Sequence, residues 1–264
     1  AVLFMAGFLI LETKASDPMI PLSLFRLRAI SVANTIAFFI SAALMGINVY
    51  MPMWIQGVLG YDATTSGLTL APMSVLWTVG SFLCGKLLVQ KGARFTTLVG
   101  AGLLLIGAMS LVAINAATPL TVLYAIGAVL GIAFGLVVAS TTVTVQSAVD
   151  WSKRGVATAS NTFFRNLGQT IGVAVLGTYF NARITANLMQ HKGAKGIGIE
   201  HMNQLINPHF AKSLAPDIRD VLRHVLAFGI HNVFIAMVVL TFIALVVTFR
   251  IPGGKQVAES EINR

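Results

Sequence analysis

The stretch PLTVLYAIGAVLGIAFGLVVASTTVTVQS, residues 119–147, contains no Asp, Glu, Lys or Arg. Crossing the ~30 Å hydrocarbon layer of a bilayer takes about 20 mostly apolar residues in a helix, and this run exceeds that length. Comparable runs fall at about 29–50, 65–88, 95–114, 155–182 and 224–249, each bounded by charges, prolines or polar clusters. They read as helices, because a chain in lipid must satisfy its own backbone hydrogen bonds and the ten-residue alternation of a membrane barrel is absent. The expected fold class is therefore all-α, a polytopic membrane protein with six full spans. The apolar run 1–11 stands ahead of them, without a basic n-region or a small-residue cleavage site, and reads as the end of a preceding transmembrane helix. On that reading the chain is a fragment.

Composition agrees. Of the 264 residues 56% are hydrophobic and 10% charged, and the mean hydropathy is +0.82. A soluble domain carries about a quarter charged residues. The net charge of +9 comes from 18 Lys and Arg scattered between apolar runs, with no basic arm, so no nucleic-acid partner is expected. The single cysteine, Cys84, excludes an internal disulfide and offers no metal-ligand spacing.

The connections alternate in charge. Segment 12–28, read as a cytoplasmic linker, carries Lys14, Arg26 and Arg28; 86–94 carries Lys86, Lys91 and Arg94; 148–154 carries Lys153 and Arg154; and the tail after 249 carries Arg250, Lys255 and Arg264. The short connections 51–64 and 115–118 hold no Lys or Arg. By the positive-inside rule the basic set and the C-terminus are cytoplasmic, and the expected location is the cell membrane, inner or plasma, as a multi-pass protein. Segment 183–223 strains the rule, since it is external by alternation yet holds Arg183, Lys192, Lys195, Lys212, Arg219 and Arg223. Within it, Pro216-Asp217 reads as a helix start, followed by Ile218, Val221, Leu222 and Val225 at helical spacing. This external loop reads either as a solvated connector or as a lid over the outer mouth.

Three stretches together resemble one family: Pro21-Leu-Ser-Leu-Phe-Arg26; Tyr50-Met-Pro-Met-Trp-Ile-Gln56 leading to Leu59-Gly-Tyr61; and Gly155-Val-Ala-Thr-Ala-Ser-Asn161 continuing through Arg165-Asn-Leu-Gly168 to Gly172 and Gly177. In order and spacing they are similar to the 14-span drug:proton antiporters of the major facilitator superfamily. Segment Gly85-Lys-Leu-Leu-Val-Gln-Lys-Gly-Ala-Arg94 resembles a degenerate copy of that superfamily's cytoplasmic loop motif, G-x-x-x-D-x-x-G-R-R, with Val89 and Gln90 where the acid belongs. The resemblance implies two six-helix bundles rocking about a central cavity and exporting amphipathic, often cationic compounds against proton entry. This chain would be the C-terminal bundle, residues 29–250, with a cytoplasmic tail over 251–264. It also implies that the first and fourth helices of the bundle, 29–50 and 119–147, line the cavity. The expected partners are the lipid bilayer, small-molecule drug-like substrates, protons and the N-terminal half of the same transporter, with a periplasmic adaptor as an option left open. No cofactor is expected beyond the proton gradient as driving force.

No Asp or Glu falls inside the six runs, whereas proton coupling usually uses a membrane-embedded carboxylate, so the main proton carrier of an antiporter would lie outside this chain. Arg165 is the one strongly charged residue well inside a run, some ten residues past Arg154, or roughly 15 Å along a helix. Asn161 and Gln169, at i−4 and i+4, and Gly172 share its face. Arg165 has three readings: it snorkels or caps helix carbonyls, it couples or gates through a carboxylate of the other half, or it touches substrate. On the first span Asn34, Phe38, Ser41, Met45 and Asn48 form one stripe of amides and soft apolar groups, suited either to a permissive cavity wall or to helix packing. Phe134 and Gln146 are further cavity candidates on 119–147, beside Thr141 and Thr142. Tyr50, Trp54 and Gln56 read as an aromatic belt at the outer interface or, alternatively, as substrate contacts. Gly127, Gly131 and Gly135 form a small-residue packing seam. His231, the one histidine inside a run, reads as a buried neutral group or, alternatively, a proton relay.

There is no phosphate-binding G-x-x-x-x-G-K-[ST] loop and no catalytic triad or metal spacing, so neither a primary pump nor an enzyme is expected. The readings that remain are a proton-coupled multidrug exporter, the same fold with one narrow substrate (an amino acid, a lipid precursor or an antibiotic), and a non-transporting membrane scaffold.

Overall fold

A computed structural model describes residues 22–190 and 216–252. The run 1–11, most of linker 12–28, the middle of loop 183–223 and the tail beyond 252 lie outside the described residues. Five long helices build the rest: α1 (Arg28–Met53), α2 (Ala63–Val112), α3 (Leu120–Ser147), α4 (Arg154–Gln190) and α5 (Pro216–Thr248). Among the described residues there is no strand.

Local chemistry sets the helix ends. Past Pro52, whose ring cannot donate to the preceding turn, α1 widens into a π-turned segment, Trp54–Val58, and stops at Gly60, where φ is +78° and a Cβ is unfavourable. Asp62 then caps α2, its Oδ1 accepting the Thr65 N–H at 3.0 Å. At the other end α5 begins at Pro216, the position its sequence marks as a start.

Segment 86–94 departs from the expected loop. The chain is helical on both sides of a break at Gly92, with φ +80° and ψ 168°, so two arms of α2 meet at a corner. That glycine occupies the second Gly of the degenerate motif, and a left-handed residue is what the reversal needs. Glycine contacts fix the arm directions. A Cβ on Gly127 would meet Thr69, on Gly131 Met73 and on Gly135 Trp77, so the first arm runs parallel to α3. A Cβ on Gly100 would meet Val137 and on Gly107 Leu130, so the second arm runs antiparallel to α3. Likewise α4 runs parallel to α1, with Gly168 against Phe38 and Gly172 against Ala42, while α5 packs against both, Gly46 meeting Met237 and Gly229 meeting Ile184. The Gly127–Gly131–Gly135 seam is thus a packing seam.

The alternation gathers one end of the bundle around Gly92, the Ala148–Lys153 turn and the start of α1, where Leu24, Ile30, Ala33, Val145 and Ala157 form a small core of their own. Lys86, Lys91, Arg94, Lys153, Arg154, Arg26 and Arg28 belong to that end. Four helical stretches are long and apolar enough to cross a membrane by length and composition: Arg28–Val58, Ala63–Val112, Leu120–Ser147 and Ile218–Thr248. At 50 residues the second is long enough for both of its arms. Helix α4 is not among them, because hydroxyls, amides and Arg165 interrupt its apolar character.

Backbone contact at the seam makes a sharp prediction. Gly135→Val drives a side chain into the Trp77 carbonyl and within 2.7 Å of the Ser81 nitrogen, and overpacking of this kind costs about 1–3 kcal/mol. The melting temperature of the purified protein in detergent should fall. Gly85→Val, with nothing within 4 Å of its Cβ, should leave it unchanged, and equal effects at both positions would contradict this packing.

Candidate functional site

At the basic end the last turn of α3, the turn Trp151–Lys153 and the first three turns of α4 enclose an open cleft of about 870 Å³. Its shape follows from local bonds. Lys153 N–H donates to the Asp150 carbonyl at 2.9 Å, closing the turn that launches α4. Gln146 Nε2 donates to Thr158 Oγ1 at 3.0 Å, and the Thr158 hydroxyl donates to the Arg154 carbonyl at 2.8 Å, tying the two helix ends together.

Thr158, Thr162 and Asn166 follow at four-residue steps, so one face of α4 presents two hydroxyls and an amide to the cleft. Trp151, 81% exposed, and Phe163 supply aromatic surface. The Arg154 guanidinium lies 4.9 Å from the centre of the Trp151 ring, a cation–π contact. Among the described residues no Asp or Glu lines the cleft. Chemically it offers hydroxyl and amide hydrogen bonds, a cation and two ring faces, without one demanding geometry.

Of the sequence candidates, Gln146 alone lines this cleft. Arg165 stands at its rim: half-buried, it donates from Nη2 to the Thr162 hydroxyl at 3.2 Å. Asn161, expected on the same face, turns instead toward α1. It is buried, and its Nδ2 donates to Asn34 Oδ1 at 3.1 Å while Asn34 Nδ2 donates to Ser160 Oγ at 3.0 Å. Among the described residues Asn161 Oδ1 has no hydrogen-bond partner. Gln169 is half-buried.

The first-span stripe divides along its length. Asn34, 2% exposed, and Ser41 are sealed inside the bundle, so they do not line an open cavity of it; the helix-packing alternative holds for both. The reason is the glycine-mediated approach of α4, whose Gly168 touches the Phe38 carbonyl. Phe38 and Met45 are half-buried and Asn48 is exposed. Phe134 is also corrected: fully buried, it stacks on Trp77 at 5.5 Å because the seam pulls the first arm of α2 over it. The expected aromatic belt turns inward as well. Tyr50 packs against Phe180 at 5.1 Å, Trp54 against Phe234 at 6.3 Å, and Gln56 donates to Ser66 Oγ at 3.3 Å. Sequence reasoning missed Trp151, Arg154, Thr158, Thr162 and Asn166; the signal was the four-residue polar repeat along α4.

Long apolar helices interlocked by glycine seams, with a polar cleft at one end, define a polytopic helical membrane bundle. A family model described as Major Facilitator Superfamily matches residues 3–173, and the chain belongs to that superfamily. It is 31% identical over 192 residues, 73% of its length, to the multidrug transporter protein MdtP of Bacillus subtilis, covering 35% of that protein. It is 31% identical over 186 residues, 70% of its length, to the multidrug resistance protein Stp of Mycobacterium tuberculosis, covering 34% of it. The chain thus spans about a third of the length of these curated relatives. In fold it is similar to a bacterial homologue of the human lysosomal transporter Spinster in an inward-facing and occupied conformation: TM-score 0.66, 19% identity, 84% of this chain and 48% of that one.

The amide knot yields the second prediction. Asn34→Ala strands buried polar groups of Asn161 and Ser160, at about 1–3 kcal/mol for an unsatisfied group. Its melting temperature should fall more than that of the Asn34→Ala/Asn161→Ala double variant relative to Asn161→Ala, and strict additivity in a double-mutant cycle would show that the two amides do not interact.

Proposed function

We propose that the intact protein is a proton-coupled multidrug exporter of the 14-span drug:proton antiporter group and that this chain supplies its C-terminal bundle. The observation that carries the reading is the cleft: two aromatic faces, dispersed hydroxyls and amides and no carboxylate suit cargo that varies in shape. The multidrug names of the relatives support it.

The basic residues collected around the Gly92 corner and the Ala148–Lys153 turn support a cytoplasmic placement of that end and of the C-terminus, in the cell membrane. The cleft then opens toward the cytoplasm, the side from which an exporter takes its cargo. Cargo enters between Trp151 and the Thr158–Thr162–Asn166 face, and the bundle rocks against the N-terminal half to open the site on the other side.

Proton coupling assigns a part to Arg165. Among the described residues its only hydrogen bond is to the neutral hydroxyl of Thr162, and a guanidinium at membrane depth is costly without a counter-charge. A carboxylate of the N-terminal half provides that counter-charge when ionised and releases Arg165 when protonated. Movement of the guanidinium from Thr162 to that carboxylate shifts the Thr162 rim of the cleft, which links the proton to cargo affinity.

Dye accumulation in cells expressing the intact gene tests the exporter: efflux should stop when a protonophore collapses the gradient, and efflux that survives the collapse overturns proton coupling. A substrate panel with one exported compound and no dye efflux overturns the multidrug reading. In proteoliposomes Arg165→Ala should lower dye-driven proton movement about tenfold, the equivalent of ~1.4 kcal/mol, with Arg165→Lys retaining more of it. Wild-type coupling in both variants, at normal expression, removes Arg165 from the mechanism.

A further inference from the structure

A second concavity lies away from the cleft, lengthwise between α4 and α5 with α1 as its floor, and has a volume of about 380 Å³. Phe38 and Gly172 form its base, Val175 and Val239 its rims, and Tyr179 one end. Apart from the Tyr179 hydroxyl, its lining side chains are all apolar. The rims face outward, Val175 being 59% and Val239 52% exposed.

Four residues beyond Tyr179 on the same helix, the exposed Arg183 holds its guanidinium 5.0 Å from the Tyr179 ring centre. Among the described residues Arg183 makes no other interaction. An apolar trough running between α4 and α5 and ending in an aromatic ring and then a cation has the layout of a lipid: a chain along the bilayer normal and an anion at the interface.

We propose that this groove is a binding site for one anionic phospholipid, its acyl chain laid along Val175 and Val239 and its phosphate on Arg183. The charge at the end of the groove selects the occupant. A guanidinium forks two N–H donors onto one phosphate, and a zwitterionic headgroup carries its own cation to compete with Arg183. The side chain that reaches the phosphate lies at the end of α4 opposite the basic cleft, so under the proposed orientation the lipid comes from the outer leaflet. The site itself rests only on α4 and α5 crossing the membrane and is independent of cargo and proton.

The experiment is native mass spectrometry of the intact transporter in detergent with phosphatidylglycerol or phosphatidylcholine of identical acyl chains at equal concentration. Wild type should retain one phosphatidylglycerol in preference to phosphatidylcholine by about tenfold, the discrimination expected of one charge-assisted contact. Arg183→Gln should abolish the preference and Arg183→Lys restore part of it. Val175→Trp, which fills the trough from its exposed rim, should reduce retention of both lipids. Equal retention of the two lipids by wild type, or wild-type retention in both Arg183→Gln and Val175→Trp, overturns the site; so does no retention of either, the result if the remainder of the transporter covers the groove. Because the readout is lipid mass, it stands or falls separately from dye efflux.

Discussion

In hydrocarbon there is no water to leave an interface, so helices associate by packing, and packing is strongest where backbones touch. Two glycine seams meet that constraint here. Gly131 and Gly135 of α3 press on Met73 and Trp77 of α2, and Gly168 and Gly172 of α4 press on Phe38 and Ala42 of α1. Each joins a parallel pair of rods that do not follow one another in the chain, the first arm of α2 with α3 and α1 with α4. The second arm of α2 and helix α5 then pack against these pairs, and the Thr97–Ser140 hydroxyl contact at 2.7 Å satisfies polar groups the second arm buries.

The α1–α4 seam also determines what the polar residues on it can do. Once Gly168 lets the backbones meet, Asn34, Ser160 and Asn161 have no route to solvent and must satisfy one another. Among the described residues they do so with one exception, the amide oxygen of Asn161, which has no partner. The same helix turns its opposite side outward one residue later, so Thr162 belongs to the cleft while Asn161 belongs to the knot. Arg165, bonded to Thr162, is therefore attached to the open face and not to the interior one.

Much of this architecture was legible in residue runs. Length and apolarity pointed to the helical rods, counting each arm of α2, the second glycine of the Gly85–Arg94 motif lies at the break, and Pro216 opens α5, because each is a local property. What the runs do not encode is the neighbour. Period 3.6 places Asn34, Phe38 and Ser41 on one stripe, but only the approach of α4 decides that Asn34 and Ser41 are sealed while Phe38 stays half-buried. Tyr50 and Trp54 have the composition of an interfacial belt, yet they turn inward to Phe180 and Phe234, partners more than a hundred residues away. The cleft was hidden for a related reason: a four-residue repeat of Thr158, Thr162 and Asn166 inside a long apolar run looks like a dilution of hydropathy until the helix is seen to face outward there.

Helix α4 consequently carries three different surfaces along one rod. Its inner face holds the glycine seam and the amide knot, its first turns carry the polar face of the cleft, and its later turns form one bank of the apolar groove that ends under Arg183. A rigid helix cannot move one of these without the others. Sliding α4 along α1 breaks close-packed glycine contacts and uncovers buried amides. Displacing α1 and α4 together is resisted as well, because the small core of Leu24, Ile30, Ala33, Val145 and Ala157 joins both helices to α3, and Gln56 is bonded to Ser66 of α2. The two walls of the cleft, on α3 and α4, are thus held by packing as well as by the Gln146–Thr158 bond.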